Sequence, residues 1–129
     1  MQSALIKADV AELTAQLEKL DTVYECPTKH HFVDGMYCRE AFMHAGTIGV
    51  GATHKKACFN LLTEGKIIVS NGEEEVVLKA PQTFVGGAGV QKIGYAITDV
   101  VWVNVFRTDA TTVEEAEKEL FIEKIYKEN

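Results

Sequence analysis

The sequence lacks the features that mark membrane proteins and nucleic-acid-binding proteins. Positive charge is scarce: 13 lysines and arginines stand against 19 aspartates and glutamates, and the net charge is −6. Binding to DNA or RNA needs clustered Lys and Arg, so this balance argues against a nucleic-acid polymer as partner. No apolar run approaches the roughly 20 residues that span a bilayer, and the N-terminus has no signal-peptide core. We therefore expect a cytoplasmic protein with no membrane partner.

Cysteines and known catalytic motifs are equally sparse. The three cysteines, Cys26, Cys38 and Cys58, are odd in number and form no CxxC pair, which favours free thiols in a reducing compartment over a disulfide framework. There is no HExxH, GxSxG or zinc-ribbon spacing. The glycine-rich stretch 86–89 lacks the lysine of a phosphate-binding loop. None of the common motif-defined enzyme classes is indicated.

What the sequence does contain fits one globular domain. It has 129 residues, of which 47% are hydrophobic and 25% charged. Residues 3–20 predict an amphipathic helix with Ser3 as its N-cap. Its narrow apolar stripe consists of Ile6, Val10, Leu13, Leu17 and Leu20. The stripe either docks on the domain or pairs with another subunit, which is one reason to expect a homo-oligomer.

The middle of the chain shows the period of two that is typical of β-strands. Asp34-Gly35 predicts a turn, and Asn71-Gly72 predicts a tight hairpin in which both central residues need positive φ. The predicted strands are 29–33, 36–43, 46–53, 58–62, 66–69, 74–79, 83–85, 93–97 and 100–107. Short strands at even spacing indicate a β-sandwich or barrel. Trp102 lies in the most apolar strand, and we expect it in the core.

A second helix is predicted at the C-terminal end. Residues 112–115 form a capping box that opens a helix over 113–127. The predicted organisation is an N-terminal helix and linker (1–28), a barrel (29–107) and a C-terminal helix (108–129). Together these parts form a single globular domain.

Residues 46–107 contain an ordered series of motifs. Gly46 begins the segment, His54 follows in a polar turn, 61–65 is an apolar run that closes on a glycine, and Gly89 lies in a later turn. This series resembles the two motifs of the cupin superfamily. The resemblance implies an all-β, cupin-like double-stranded β-helix (jelly roll) with one N-terminal and one C-terminal α-helix. It also implies dimers or larger assemblies, which cupins commonly form through their sheets.

A second resemblance rests on three stretches of the same region. These are RE-AF-HAGT-G-TH-K at 39–55, APQTFV at 80–85 and GY-ITD-VW at 94–102. The pattern resembles small cupin-like proteins of tailed bacteriophages. It implies a phage-encoded protein of the host cytoplasm, either an accessory protein of the particle or an anti-defence protein that sequesters a nucleotide-like signal.

The chain departs from the cupin motifs at the positions that bind metal. On the alignment that the resemblance implies, the ligand positions hold Ala52, His54, Cys58 and Lys92, or Gln91 in place of Lys92 if the register slips by one. Catalytic cupins hold a divalent metal with three histidines and a carboxylate, and one imidazole with one thiol is too few. We therefore expect no metal and no other cofactor. The alternative is a divalent metal on His54 and Cys58, completed by His31 or His44.

The remaining histidines are not placed by the sequence. His30 and His31 are adjacent on a predicted strand, so their side chains point to opposite faces and at most one of them enters the barrel. His44 follows the next predicted strand. The sequence leaves open which of the three faces the barrel.

We expect a ligand-binding set in the barrel or at its mouth. A lysine at a metal-ligand position puts a fixed positive charge where the metal charge would be, which suits an anion. The set consists of Arg39, His54, Lys56, Cys58, Asn60, Lys92 and Tyr95. The structural alternatives are a hydrogen-bonded histidine, an inert buried thiol and solvated lysines. No catalytic residue is predicted.

Three functions remain open from the sequence. The first is non-catalytic binding of a small anionic molecule by the barrel. The second is a metal-dependent cupin enzyme, such as an isomerase, lyase or dioxygenase, with an unusual ligand set around His54. The third is a structural or interaction protein whose barrel interior is filled by its own side chains.

Overall fold

A computed structural model of the chain describes residues 26–71 and 73–122. The predicted N-terminal helix, 3–20, lies outside the described residues. The elements in the described part are β1 (Thr28–Val33), β2 (Met36–Met43), β3 (Ile48–Val50), β4 (Cys58–Glu64), β5 (Lys66–Ser70), β6 (Glu75–Lys79), β7 (Gln82–Gly86), β8 (Ile93–Ala96), β9 (Val100–Arg107) and α1 (Val113–Leu120). Among these residues no helix is long and apolar enough to cross a membrane.

The strands form two antiparallel sheets. One has five strands in the order β1-β2-β9-β4-β7, and the other has four in the order β3-β8-β5-β6. The chain passes from one sheet to the other at every connection between described strands except β1–β2 and β5–β6. This alternation is the jelly-roll pattern, and the predicted all-β class is confirmed.

Apolar side chains from both sheets meet between them. Met43, Leu62 and Val100 of the five-stranded sheet pack with Ile67 and Ala96 of the four-stranded sheet. These residues alternate with outward-facing ones, which is why each strand showed a period of two in the sequence. Burial of this cluster holds the two sheets together.

Trp102 lies at the margin of that cluster. It is half-buried and packs against the cluster from one side, with its ring 5.5 Å from the ring of Phe84. The strand that carries it, β9, is buried or half-buried over residues 100–106. The strand is therefore largely buried, as its apolar sequence predicted, whereas Trp102, which was expected in the core, is only partly covered.

A second cluster closes one end of the barrel with α1. Tyr37, Cys58 and Phe106 pack there against Leu120 and Phe121. The predicted helix start is confirmed, because the Thr112 side chain accepts a hydrogen bond from the Glu115 backbone N–H at 3.2 Å. This docking covers the apolar side of a helix too short to be stable alone.

The predicted end of this helix at residue 127 is wrong. The helix ends at Leu120, and Phe121 is extended, with φ −119° and ψ 145°. Phe121 instead pairs with His54 as a short antiparallel bridge, and the Ile122 N–H donates to the Thr53 carbonyl at 2.9 Å. The Phe121 N–H still donates to the Glu117 carbonyl at 3.1 Å, and from Ile122 onward pairing with the 53–54 segment replaces the helical hydrogen bonds.

Of the two predicted turns, the one at Asp34-Gly35 is confirmed and the one at residue 71 is wider than predicted. Asp34 and Gly35 both have positive φ (43° and 76°) between paired Val33 and Met36, so the tight two-residue hairpin lies here. The other hairpin pairs Ser70 with Glu75, which leaves a four-residue loop, 71–74. The Asn71 side chain accepts hydrogen bonds from two backbone N–H groups of that loop, which favours the wider turn.

The predicted third strand, 46–53, is shortened to Ile48–Val50. Gly46 has φ +87° and its N–H donates to the Ala96 carbonyl, so the chain bends there. At the other end, the Gly51 N–H still donates to the Lys92 carbonyl at 2.9 Å, but the chain then turns toward Phe121. The glycines that suggested close backbone approach therefore end the strand.

Candidate functional site

Four polar side chains form a row across the inner face of the five-stranded sheet. The strand register places His30 opposite Arg39, Arg39 opposite Asn104, and Asn104 opposite Asn60, on the adjacent strands β1, β2, β9 and β4. Asn60 is 2% exposed and Asn104 is 8% exposed. We call these four residues the polar row. Polar groups so deeply buried need hydrogen-bond partners, which makes the polar row a candidate binding site.

The two central amides of the row leave one donor unused. Asn104 Nδ2 donates to Asn60 Oδ1 and lies 3.8 Å from Cys58 Sγ. Asn60 Nδ2 is buried and has no hydrogen-bond partner. An unpaired buried amide N–H group is costly, and a bound acceptor would remove that cost.

Gly86 leaves room for this amide because it has no side chain. It pairs with Cys58 on the neighbouring strand, and a Cβ atom at this position would overlap Asn60 Nδ2. The same hypothetical Cβ atom would lie 3.6 Å from Lys92 Nζ. The free amide donor and the lysine ammonium therefore meet at the same glycine.

Lys92 reaches this point from the opposite sheet. It precedes β8 and is half-buried, and after burial its charge is the next cause that lowers the pKa of His54. None of the ion pairs among the described residues includes Lys92. An ammonium inside the barrel without a carboxylate partner is an unusual arrangement that an anion would complete.

Arg39 supplies a second cation without a carboxylate partner. Its guanidinium carbon lies 5.0 Å from the centroid of the Phe121 ring, and its buried Nε has no hydrogen-bond partner. The ion pairs of the described residues do not include Arg39 either. Beside it, the Tyr37 hydroxyl lies 2.6 Å from His30 Nδ1 and also forms a hydrogen bond with the Arg39 side chain, so only Nε is left without a partner. The guanidinium thus has a donor to spare.

His54 stands between these groups and the C-terminal segment. Its ring packs on Phe106 and Phe121, with centroids 5.1 and 5.2 Å away, and its Nδ1 lies 3.7 Å from Cys58 Sγ. Burial, and then the charges of Lys92 and Arg39, lower the pKa of His54 to about 4. The imidazole is therefore neutral at neutral pH.

We expect this neutral histidine to make stability depend on pH. Its pKa is depressed from 6.5 to about 4, so between these values the unfolded chain binds the proton more tightly. The free energy of unfolding should therefore fall as the pH drops from about 6.5 to about 4. Urea unfolding across this range should show a weaker pH dependence for His54→Gln than for wild type.

Cys58 is a buried thiol rather than an exposed nucleophile. It is 6% exposed, and burial raises the pKa of its thiol, although an Asn104 hydrogen bond and Lys92 act in the opposite direction. Thiolate chemistry needs a lowered pKa and access, and this site provides neither. The thiol fills space beside His54 and the polar row.

The residues present do not fit a cupin metal centre. In residues 26–71 and 73–122, no group of three or more His, Cys, Asp or Glu side chains is placed to hold a metal ion. His31 bonds Glu40 at 3.0 Å, with both side chains exposed, and His44 lies 3.9 Å from Asp99 beyond the end of β2. His30 is the histidine that faces the interior, where it bonds Tyr37. His54 and Cys58 are thus not joined by His31 or His44, the second histidine that the sequence suggested.

The structure brings most of the predicted ligand-binding set together but places two members elsewhere. Lys56 is exposed and its Nζ pairs with Glu119 Oε2 on α1 at 2.7 Å. Tyr95 lies on the outer face of the four-stranded sheet, where it packs with Ile68 and Ile93. The members of the set that lie close together inside the barrel are Arg39, His54, Cys58, Asn60 and Lys92.

Sequence reasoning missed Asn104 and Gly86. Asn104 is the only polar residue within the apolar run 100–106, and that contrast was a usable signal for a buried polar role. The predicted strand 83–85 stops before Gly86, although Gly86 ends β7. Its role depends on pairing with Cys58, which cannot be read from local sequence.

A surface depression lies on the other side of the same sheet. It has a volume of about 230 Å³ and is lined by Ala57, Cys58, Phe59, Val85, Val105 and Arg107. Its one charged side chain, Arg107, is paired with Asp109 at 3.3 Å. We place the candidate site in the interior because the unpaired donors and cations are there.

Two facing antiparallel sheets in jelly-roll order define a cupin-like double-stranded β-helix. Comparison with solved structures agrees. A cupin-2 domain-containing protein from Shewanella frigidimarina superposes with a TM-score of 0.54 at 8% identity, covering 80% of this chain and 96% of that one. KdgF from Halomonas sp. gives a TM-score of 0.55 at 14% identity, covering 64% and 80%. A cupin superfamily protein from Desulfitobacterium hafniense gives 0.53 at 10% identity, covering 72% and 88%.

These likenesses concern the fold. No protein-family model matches the sequence, and no curated protein matches it either. The function of this chain therefore has to be argued from its own side chains.

Proposed function

We propose that this protein binds a small anionic molecule inside its barrel, without catalysing a reaction on it. The observation that carries the proposal is the pair of buried donors without acceptors, Arg39 Nε and Asn60 Nδ2. The ammonium group of Lys92 lies at the same glycine as the Asn60 amide. Three donor groups, two of them cationic, form a site for oxygen acceptors.

The charges of the site support an anion rather than a neutral ligand. Arg39 and Lys92 have no carboxylate partner among the described residues. Bringing two like charges toward a low-dielectric interior without a counter-charge is unfavourable, and an anion reverses that balance. A barrel filled only by its own side chains would not need these unpaired donors, which separates this proposal from a purely structural role.

A metal-dependent reaction is the alternative that the fold suggests. The interior offers one imidazole and one protonated thiol, with an ammonium group beside them, and a cation nearby repels a divalent metal. We therefore propose a metal-free protein. Elemental analysis of the purified protein should find no stoichiometric metal. A full equivalent of metal that is lost in His54→Ala would instead favour the enzyme.

The first test of the proposal is a thermal-shift panel of nucleotides, sugar phosphates, sulfate and small carboxylates. A ligand that binds only the folded state raises the melting temperature as its concentration passes its Kd. We expect at least one anion to raise it in a saturable manner, and neutral sugars to leave it unchanged. If no anion does so, and no small molecule co-purifies, the binding proposal is wrong.

The phage resemblance gives a more specific version of this proposal. In that version the protein is a phage accessory or anti-defence protein in the host cytoplasm, and the anion is a nucleotide-like signal. Cyclic nucleotides in the panel test this version directly.

The expected homo-oligomer also stays part of the proposal. Phe59 and Val85 are exposed and paired on the outer sheet face, and they offer an apolar contact surface for a second copy.

A further inference from the structure

Along one side of the barrel, an apolar side chain that faces the space between the sheets is exposed. β6 and β7 follow each other in the chain but are edge strands of different sheets, so the space between the sheets is open on this side. Val76 of β6 pairs with Val69, a member of the apolar cluster between the sheets, and cross-strand partners share a face. Val76 therefore faces inward, yet it is 47% exposed. This exposure indicates a cleft at the open side rather than a closed core.

Two aromatic rings face the same space from the five-stranded sheet. Phe84 pairs with Asn60, and Trp102 pairs with Leu62, so both rings lie on the inner face of that sheet. Their centroids are 5.5 Å apart, and both side chains are only half-buried. Aromatic rings left partly uncovered between two sheets offer apolar surface to a ligand. We call the space that Val76, Phe84 and Trp102 line the apolar cleft.

The apolar cleft ends at the donors of the candidate site. On β7, Gly86 lies two residues beyond Phe84 on the same inward face, about 7 Å along the strand. Asn60 Nδ2 and Lys92 Nζ meet at that glycine, and Lys92 has no ion-pair partner among the described residues. A molecule about as large as one ring with a charged group attached can therefore contact the aromatic surface and the donors together.

We propose, resting on the proposed function, that the interior binds an amphipathic anion, which is an oxyanion carried on a ring-sized apolar body. The charged head lies at Lys92 and Asn60, and the body lies in the apolar cleft. The ammonium and amide groups recognise the head, and removal of apolar surface from water adds affinity through the body. The simplest member of this class is an aromatic carboxylate.

Benzoate, acetate and benzyl alcohol test the two parts of such a ligand separately. Isothermal titration of the full chain should give a Kd for benzoate about tenfold or more below that for acetate, because acetate lacks the ring. Benzyl alcohol has the ring without the charge and should bind about tenfold or more weakly than benzoate. Trp102 is the only tryptophan in the sequence, so its fluorescence should change when benzoate binds and much less with acetate.

Val76→Glu tests the place of the apolar body. A carboxylate at this position lies in the apolar cleft and repels the ligand, so benzoate affinity should fall about tenfold or more. Val77→Glu is the matched control, because Val77 is the next residue of the same edge strand, is 60% exposed and pairs with Ile68 on the outer face. An outward charge is screened by solvent, so this variant should keep the wild-type Kd within about twofold.

The outcomes separate this inference from the function on which it rests. Equal affinities for benzoate and acetate, or benzoate binding without a change in Trp102 emission, would overturn the inference and leave anion binding intact. Equal losses in Val76→Glu and Val77→Glu would do the same. Benzyl alcohol that binds as tightly as benzoate would contradict both the inference and the proposed function. If acetate, benzoate and sulfate all fail to bind, both are wrong as well.

Discussion

Lys92→Met should weaken anion binding by about 10- to 100-fold while leaving the protein folded. The substitution keeps much of the aliphatic stem and removes the ammonium group that lies beside the Asn60 amide. Because Lys92 has no ion-pair partner among the described residues, its loss should not lower the stability of the ligand-free protein. Titration of sulfate, with urea unfolding of the free variant, measures both effects.

Lys56 offers a matched control for this prediction. It belonged to the same expected ligand-binding set, but its Nζ pairs with Glu119 at 2.7 Å on the outside of the protein. Lys56→Met should therefore leave anion affinity unchanged and alter stability by less than about 1 kcal/mol, as is usual for exposed ion pairs. Equal losses of affinity in the two variants would place the anion on the surface and contradict the interior site.

Gly65→Ala should destabilise the protein by roughly 3 kcal/mol or more. Gly65 joins β4 to β5, which lie in different sheets, and has φ +95°. A Cβ atom there would overlap the carbonyl oxygen of Asp99 and lie 2.8 Å from Thr98 Oγ1. Backbone strain and a clash with rigid main chain act together, so relaxation of a side chain cannot relieve the effect.

Urea unfolding of Gly65→Ala and Gly87→Ala measures this difference. Gly87 has no atom within 4 Å of a hypothetical Cβ, so its substitution should change the free energy of unfolding only slightly. A small effect in Gly65→Ala would mean that the connection between the sheets relaxes more easily than its contacts suggest. It would also remove the physical reason for a glycine at this position.

Local pattern predicted the long strands well. The bounds 36–43 and 100–107 were predicted as they occur, because alternation of inward and outward residues is a property of each strand alone. The predictions of the third strand and of the hairpin at residue 71 were less accurate. Their limits are set by contacts with Ala96, Lys92 and the loop backbone, which are remote in sequence or compete with the local signal.

The candidate site was predicted only in part, because some of its residues are brought together by strand pairing that the local sequence does not show. The cupin alignment placed His54, Cys58 and Lys92 at one site, and strand phase added Asn60. Tyr95 was assigned to the wrong face, since its orientation depends on which residues of β8 pair with Ile68 and Ile48. Asn104 could be placed only once the β4–β9 register was known. The sequence thus identified several residues of the candidate site, and the strand pairing showed how their hydrogen-bond donors are arranged.

The wall that Phe121 adds to the interior depends on the C-terminal segment and not on the sheets. Every described strand is complete at Arg107, whereas the ring that covers Arg39 and contacts His54 comes fourteen residues later. A chain cut after Arg107 would keep all of these strands and lose that wall. Access to the polar row is therefore controlled by a short segment that lies outside both sheets.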